Sequence, residues 1–206
     1  TPEAPSRSLA PASADEVAAW RARHGIEGPA CGYLGTIQPR KNLGLLVRSF
    51  LRAAGSNDWR LVIAGRLRPG KDTSFLGDDR RVVYVGALPD EEIPAFLGSL
   101  RCMASPSLYE GFGLTFVESM ACGCPVVALR NSSVPEVLGN AGVLLDDESE
   151  EGLARAIARM MTDDAAVADL SRRGLARAAR FSWAVTARLT MEAYRMALGQ
   201  GRRGRG

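Results

Sequence analysis

Apolar residues fall in two rhythms along this chain, and the change from one to the other divides it. Short runs, apolar almost throughout, at 30–35, 60–64, 82–85, 102–105, 125–129 and 142–145 alternate with stretches whose apolar positions recur at helical spacing. Runs that are apolar throughout, rather than at every second position, predict strands covered on both faces, as in a parallel sheet between helices. The helical stretches lie at 43–54, about 90–100, 114–122 and, more briefly, 135–138. This alternation specifies an α/β fold, a doubly wound parallel sheet with C-terminal helices. After residue 149 the rhythm is helical only. Leu153, Ala156, Ile157 and Met160 share one face there and Met191, Tyr194 and Leu198 another, both read as packing faces.

Ahead of the first strand, Ser13 or Asp15 suits the cap of a helix running to Arg23, with Gly25 closing it and Trp20 anchoring it to the body. Residues 1–13, rich in Pro, Ala and Ser, read as a linker, 14–199 as one domain and 200–206 as a disordered Gly/Arg tail. The linker reads as the trimmed end of a longer polypeptide.

A chain of 206 residues can bury roughly 70% of its unfolded surface as a single domain. Its 46% apolar and 24% charged residues are those of an ordinary globular protein. No apolar run approaches the ~20 residues that span a bilayer, and the first residues lack the layout of a signal peptide, so a cytoplasmic location is expected. The formal charge of +3 is equalled by Arg202, Arg203 and Arg205, which leaves the body near neutral and argues against a nucleic-acid-binding surface. The arginine tail reads as a frayed solvated end, or as a peripheral contact for RNA or for an anionic membrane at its cytoplasmic face. Four cysteines, Cys31, Cys102, Cys122 and Cys124, lie in or beside apolar runs, where a reduced thiol behaves as a small hydrophobe. Cys122-Gly-Cys124 has no second pair, and the single histidine, His24, falls in a separate helix, so no metal site is expected.

The chemistry concentrates in Glu110-Gly-Phe-Gly-Leu-Thr-Phe-Val-Glu118, followed by Ser-Met-Ala-Cys-Gly-Cys-Pro-Val-Val127. Two carboxylates stand eight positions apart around a glycine-bearing turn from a strand into a helix. Such a turn aims free N–H groups and a helix dipole at one point, a ready site for phosphate, while carboxylates suit hydroxyls. Phosphate beside hydroxyls describes a sugar nucleotide.

These residues resemble the donor-site signature of retaining glycosyltransferases of family 4, a group with the GT-B fold. The likeness extends through Gly35-Thr-Ile-Gln-Pro-Arg-Lys-Asn42, Leu61-Val-Ile-Ala-Gly65, Val83-Tyr-Val-Gly86 and Phe181-Ser-Trp183. The resemblance implies a Rossmann-like domain, the C-terminal, donor-binding half of a GT-B enzyme, acting by front-face displacement with retention and without a metal or other cofactor. The N-terminal acceptor-binding domain would then lie in cis or on a separate subunit. In this family Lys41 binds the donor diphosphate and supports the charge that builds on it. Glu110 faces the transferred sugar, and Glu118 the ribose. Phe112 belongs to the signature, and the N–H groups of Gly113, Leu114 and Thr115 meet the diphosphate, with glycine at 113 so that the phosphate can approach closely. Leu88, after the third strand, is the candidate for stacking on the base. Many members carry an arginine where Thr36 stands here, and Arg40 is the candidate replacement.

Plainer roles compete with each of these. Lys41 and Arg40 also fit a solvated turn, and Glu110 a solvent-exposed loop glutamate, although its loop gives a carboxylate no packing role and no local cation to offset its charge. Thr115-Phe-Val-Glu118 also fits a capping box. A glycosidase pair suits the two carboxylates less well, since one of them sits on a phosphate-type turn. The wording around Lys41 resembles mannosyltransferase members and points to GDP-mannose, with UDP-sugars still open. A noncatalytic sugar-nucleotide-binding or partner-docking module is the alternative function.

Overall fold

The computed structural model of the chain describes residues 9–67 and 74–203. Six strands form one sheet: β1 (Ala30–Leu34), β2 (Arg60–Ala64), β3 (Val82–Gly86), β4 (Cys102–Ser105), β5 (Val126–Leu129) and β6 (Gly142–Leu145). All pair in parallel, in the order β3-β2-β1-β4-β5-β6, with Cys31 opposite both Leu61 and Cys102. The helices are α1 (Ala14–Arg23), α2 (Leu43–Ala54), α3 (Ile93–Gly98), α4 (Leu114–Ala121), α5 (Val134–Leu138), α6 (Glu150–Thr162), α7 (Asp164–Ala178) and α8 (Trp183–Arg203). Where the sequence reads one helix over 90–100, a 3-10 turn at Asp90–Glu92 precedes α3, which has a proline in its first turn.

Alternation along each strand supplies two cores. Cys31 and Tyr33, Leu61 and Ile63, Cys102 and Ala104 pack with α2 and α6. Ala30, Val62 and Ala64, Met103, Val126 and Ala128 pack with α1, α3, α4 and α5 on the other face. Fully buried anchors such as Phe50, Phe96 and Phe116 each contribute roughly 1.5–3 kcal/mol of apolar burial. The sheet is thus covered on both sides, as continuous apolar runs require. All four cysteines are free and buried, and burial pushes Cys31, Cys122 and Cys124 up to about 12, leaving inert thiols at neutral pH.

Ser13 caps α1 in a capping box with Glu16, and Trp20, 1% exposed, donates its indole N–H to Glu92. The stretch read as a linker is in part attached: Leu9 and Ala12 pack on the core beside α4. Residues 1–8 of it lie outside the described residues.

At the C-terminal end one of the two apolar stripes is covered within the described residues and the other is not. Leu153, Ala156, Ile157 and Met160 are buried as read, but Met191, Tyr194 and Leu198 on α8 are 50%, 62% and 74% exposed. Helical spacing marks an apolar stripe without supplying a surface to cover it, and no other described element packs along α8. The domain end read at 199 also falls inside α8, which continues through Arg203. Gly199 and Gly201 cost about 1 kcal/mol each in a helix, and the helix formers before them carry it on. Residues 204–206, including Arg205 of the expected tail, lie outside the described residues.

Candidate functional site

In this strand order the chain leaves β1 toward one side of the sheet and β4 toward the other, so a crevice opens beyond their carboxyl ends. The loop after β1 turns as a 3-10 helix, Pro39–Lys41, ended by Asn42 in the left-handed region at φ 53°. The loop after β4 is tied to it directly, because the Leu108 N–H donates to the Arg40 carbonyl at 2.8 Å. Gly65 helps by letting the chains close up, since a Cβ on it would run into the Gly35 carbonyl.

This closure brings Lys41, Arg40 and Glu110 together. The Lys41 ammonium donates to Glu110 Oε1 at 2.5 Å, and Arg40 Nη1 lies 3.4 Å from Glu110 Oε2 while donating to the Tyr109 carbonyl at 2.6 Å. Lys41 and Glu110 are 9% and 6% exposed. The reading of Glu110 as an exposed loop glutamate without a local cation is therefore corrected: its cations come from the neighbouring strand's loop, 69 and 70 residues away. Burial pushes the Glu110 carboxyl up. The hydrogen bonds from Lys41 and Ser107 and the charges of Lys41 and Arg40 outweigh that and hold it below the ordinary carboxylate range.

Phe112, between two glycines, is 45% exposed and meets Phe181 edge-on at 5.9 Å, with the Arg177 guanidinium over the Phe181 ring at 5.1 Å. Gly113 is the N-cap of α4 at φ 87°, and a Cβ there would sit 2.5 Å from the Phe116 ring. Glycine at 113 is thus required by the turn itself, apart from any ligand. The N–H groups of Gly113, Leu114 and Thr115 make no hydrogen bond among the described residues and open into the crevice end of α4.

Because Gly113 takes the N-cap position, Thr115 is already inside the helix and α4 has no side-chain cap. The capping box read over Thr115 and Glu118 does not form. Glu118 is half-buried and makes no hydrogen bond or ion pair among the described residues; burial, and then the charge of Asp90, raise its carboxyl above the ordinary value. Asp90 follows β3, so the charge that acts on Glu118 comes from the loop that also carries half-buried Leu88. Thr36 turns its carbonyl to the Tyr33 hydroxyl at 3.3 Å.

Sequence reasoning missed the serines around Glu110. Ser105 and Ser107 are buried and bonded to each other at 3.1 Å, and Ser132 and Ser133, after β5, bond the Glu110 backbone. Ser105 and Ser107 are visible in sequence only as polar residues in and just after an apolar run.

A family model for glycosyl transferases group 1 matches residues 28–163. O-antigen chain mannosyltransferase B of Escherichia coli is 33% identical over 171 residues, covering 80% of this chain and 45% of that protein. MMP alpha-(1->4)-mannosyltransferase of Mycolicibacterium hassiacum is 33% identical over 168 residues, 78% of this chain and 41% of that protein. Sucrose-phosphate synthase from Thermosynechococcus elongatus superposes with a TM-score of 0.76 at 26% identity, over 93% of this chain and 50% of that one. Two more structures share the fold. Anabaena Alr3699/HepE, solved with UDP and glucose, gives a TM-score of 0.77 at 22% identity, over 90% of this chain and 53% of that one. The C-terminal domain of a group 1 glycosyl transferase from Francisella tularensis gives 0.72 at 23%, over 84% of this chain and 95% of that one. The chain spans less than half the length of the two curated relatives.

Proposed function

Because the chain belongs to the group 1 glycosyl transferases and has the C-terminal type of GT-B domain, we propose that it is the donor-binding half of a retaining glycosyltransferase. It takes a sugar from a nucleoside-diphosphate sugar and delivers it to a glycan or lipid acceptor. The observation that carries this reading is the convergence of Lys41, Arg40 and Glu110 at the sheet's crevice, beside α4 N–H groups that have no acceptor among the described residues.

The chemistry follows from these groups. An ammonium has three donors, and Lys41 uses one on Glu110, so the others meet a diphosphate oxygen without breaking the pair. Lys41, Arg40 and the α4 N–H groups together oppose the negative charge that grows on the diphosphate as the glycosidic bond breaks. The low exposure of Lys41 makes that opposition stronger than it would be in water. Glu110 keeps acceptor lone pairs for the sugar hydroxyls, and its negative charge favours a developing oxocarbenium ion. Glu118, without a partner among the described residues, accepts from the ribose hydroxyls, and Leu88 lies under the base. The departing phosphate takes the acceptor's proton.

Two relatives with mannosyltransferase names support mannose as the transferred sugar, and GDP-mannose is the donor proposed for it. The exposed stripe Met191, Tyr194 and Leu198 on α8 is the surface on which an N-terminal, acceptor-binding Rossmann half docks, in cis or as a subunit. A transfer assay tests the proposal: with labelled GDP-mannose or UDP-glucose, the 206-residue chain turns over little donor by itself. Rapid stoichiometric sugar transfer by the chain alone would overturn the half-site reading.

A further inference from the structure

The loop after β5 grips the peptide of Glu110 from both sides. The Glu110 N–H donates to Ser132 Oγ at 2.9 Å, and the Ser133 hydroxyl donates to the Glu110 carbonyl at 3.0 Å. The same loop reaches three residues further back: the Asn131 amide donates to the Ser107 carbonyl at 2.9 Å, and the Ser132 hydroxyl donates to Asn131 Oδ1 at 3.0 Å. Ser132 holds this position at φ 44°, in the left-handed region that costs a serine backbone energy. An exposed serine in such a conformation persists only where the surroundings fix it, and here its hydroxyl is committed at both its donor and its acceptor side.

We propose that Ser132 and Ser133 are positioning residues for the Glu110 carboxylate. They act through the backbone, and so carry the donor-sugar contact onto a third strand end of the sheet. The assignment rests on the reading of Glu110 as the sugar-facing carboxylate. Its logic is one of pre-organisation. The Lys41 bond fixes one carboxylate oxygen, but residues 111 and 113 are both glycine, so the chain beyond Glu110 restrains its peptide weakly. Two side-chain hydrogen bonds on that peptide remove the remaining freedom before a sugar arrives, which lowers the ordering cost on binding. Neither serine touches the donor.

The test uses Ser132→Gly and Ser133→Ala, with Glu110→Gln as reference, in calorimetric titrations of the chain with GDP, GDP-mannose, UDP and UDP-glucose. The quantity read is the ratio of affinity for the sugar conjugate to affinity for the matching diphosphate. Each serine variant should lower that ratio about two- to tenfold, one hydrogen bond's effect, and leave the bare diphosphate affinity unchanged. Ser132→Gly also relieves the left-handed strain, so its thermal midpoint should hold or rise while the ratio falls, an outcome that a purely structural role does not give. If both serine variants keep the full ratio while Glu110→Gln loses it, the positioning role is overturned. If Glu110→Gln itself keeps the ratio, the sugar-facing reading fails, and this assignment falls with it.

Discussion

The Lys41 ammonium and the Glu110 carboxylate, 69 residues apart in sequence, meet at 2.5 Å in a site where both side chains are almost wholly buried. Burial makes each ion depend on its partners. Lys41→Met should destabilise the fold by roughly 1–3 kcal/mol. That is short of the ~3–5 kcal/mol for a buried ion losing its sole partner, because Arg40 and Ser107 still face the carboxylate. The double variant Lys41→Met/Glu110→Gln should lose less than the two single losses added together. Urea unfolding of the four proteins checks this, and strict additivity would show that the pair is not coupled.

The two carboxylates of the motif should respond to pH with opposite signs. Glu110 titrates below its ordinary 4.5, so its stabilising contribution is present above 4.5 and is lost as pH falls through the lowered value. Glu118 titrates above 4.5, so its ionised form opposes folding at neutral pH, and stability is regained as pH falls through the raised value. Glu118→Gln should therefore melt slightly higher than the parent at pH 7 and equal to it once both carboxyls are protonated. A lower melting point at pH 7 would contradict the absence of a capping role.

The same variant carries a binding prediction. A carboxylate that accepts from ribose hydroxyls contributes about 1.5–3 kcal/mol as a charged hydrogen-bonding group. Glu118→Gln should then weaken GDP and UDP roughly ten- to a hundredfold. Unchanged nucleotide affinity would remove the ribose role.

Gly113→Ala should damage the turn before any ligand is considered. Its φ of 87° is strained for a side chain, and the new Cβ would sit 2.5 Å from the Phe116 ring, which is itself fully buried. A loss of at least ~1–2 kcal/mol is expected, read as an earlier thermal transition. A neutral substitution would mean that α4 begins elsewhere.

What the sequence made legible and what it hid divide along one physical line. The strands could be read because each is a run apolar almost throughout, and the Glu110–Glu118 motif because its spacing is local. The burial of Glu110 could not be read, since its cations arrive through the pairing of β1 with β4. The clamp from Ser132 and Ser133 was hidden for the same reason, arriving through the pairing of β4 with β5. Thr115 and Glu118 match a capping box by letter, but the left-handed backbone at Gly113 moves the helix start and leaves Glu118 without a partner among the described residues. On α8 the stripe of Met191, Tyr194 and Leu198 was legible and its exposure was not.

Deleting residues 183–206 tests the α8 reading. With the stripe exposed, the loss should cost under about 1 kcal/mol, a shift of less than roughly 2–4 °C for a domain of this size. A larger drop would mean that α8 packs on the sheet domain.

Calorimetric titration decides whether the loops after β1 and β4 hold the diphosphate of a nucleotide sugar. GDP and UDP would be compared with guanosine and uridine on the parent chain and on Lys41→Ala. At least one diphosphate should bind well above its nucleoside on the parent chain, and Lys41→Ala should erase most of that advantage while leaving nucleoside affinity in place. Equal losses for diphosphate and nucleoside, or no binding of either diphosphate to the parent chain, would contradict diphosphate binding by these loops.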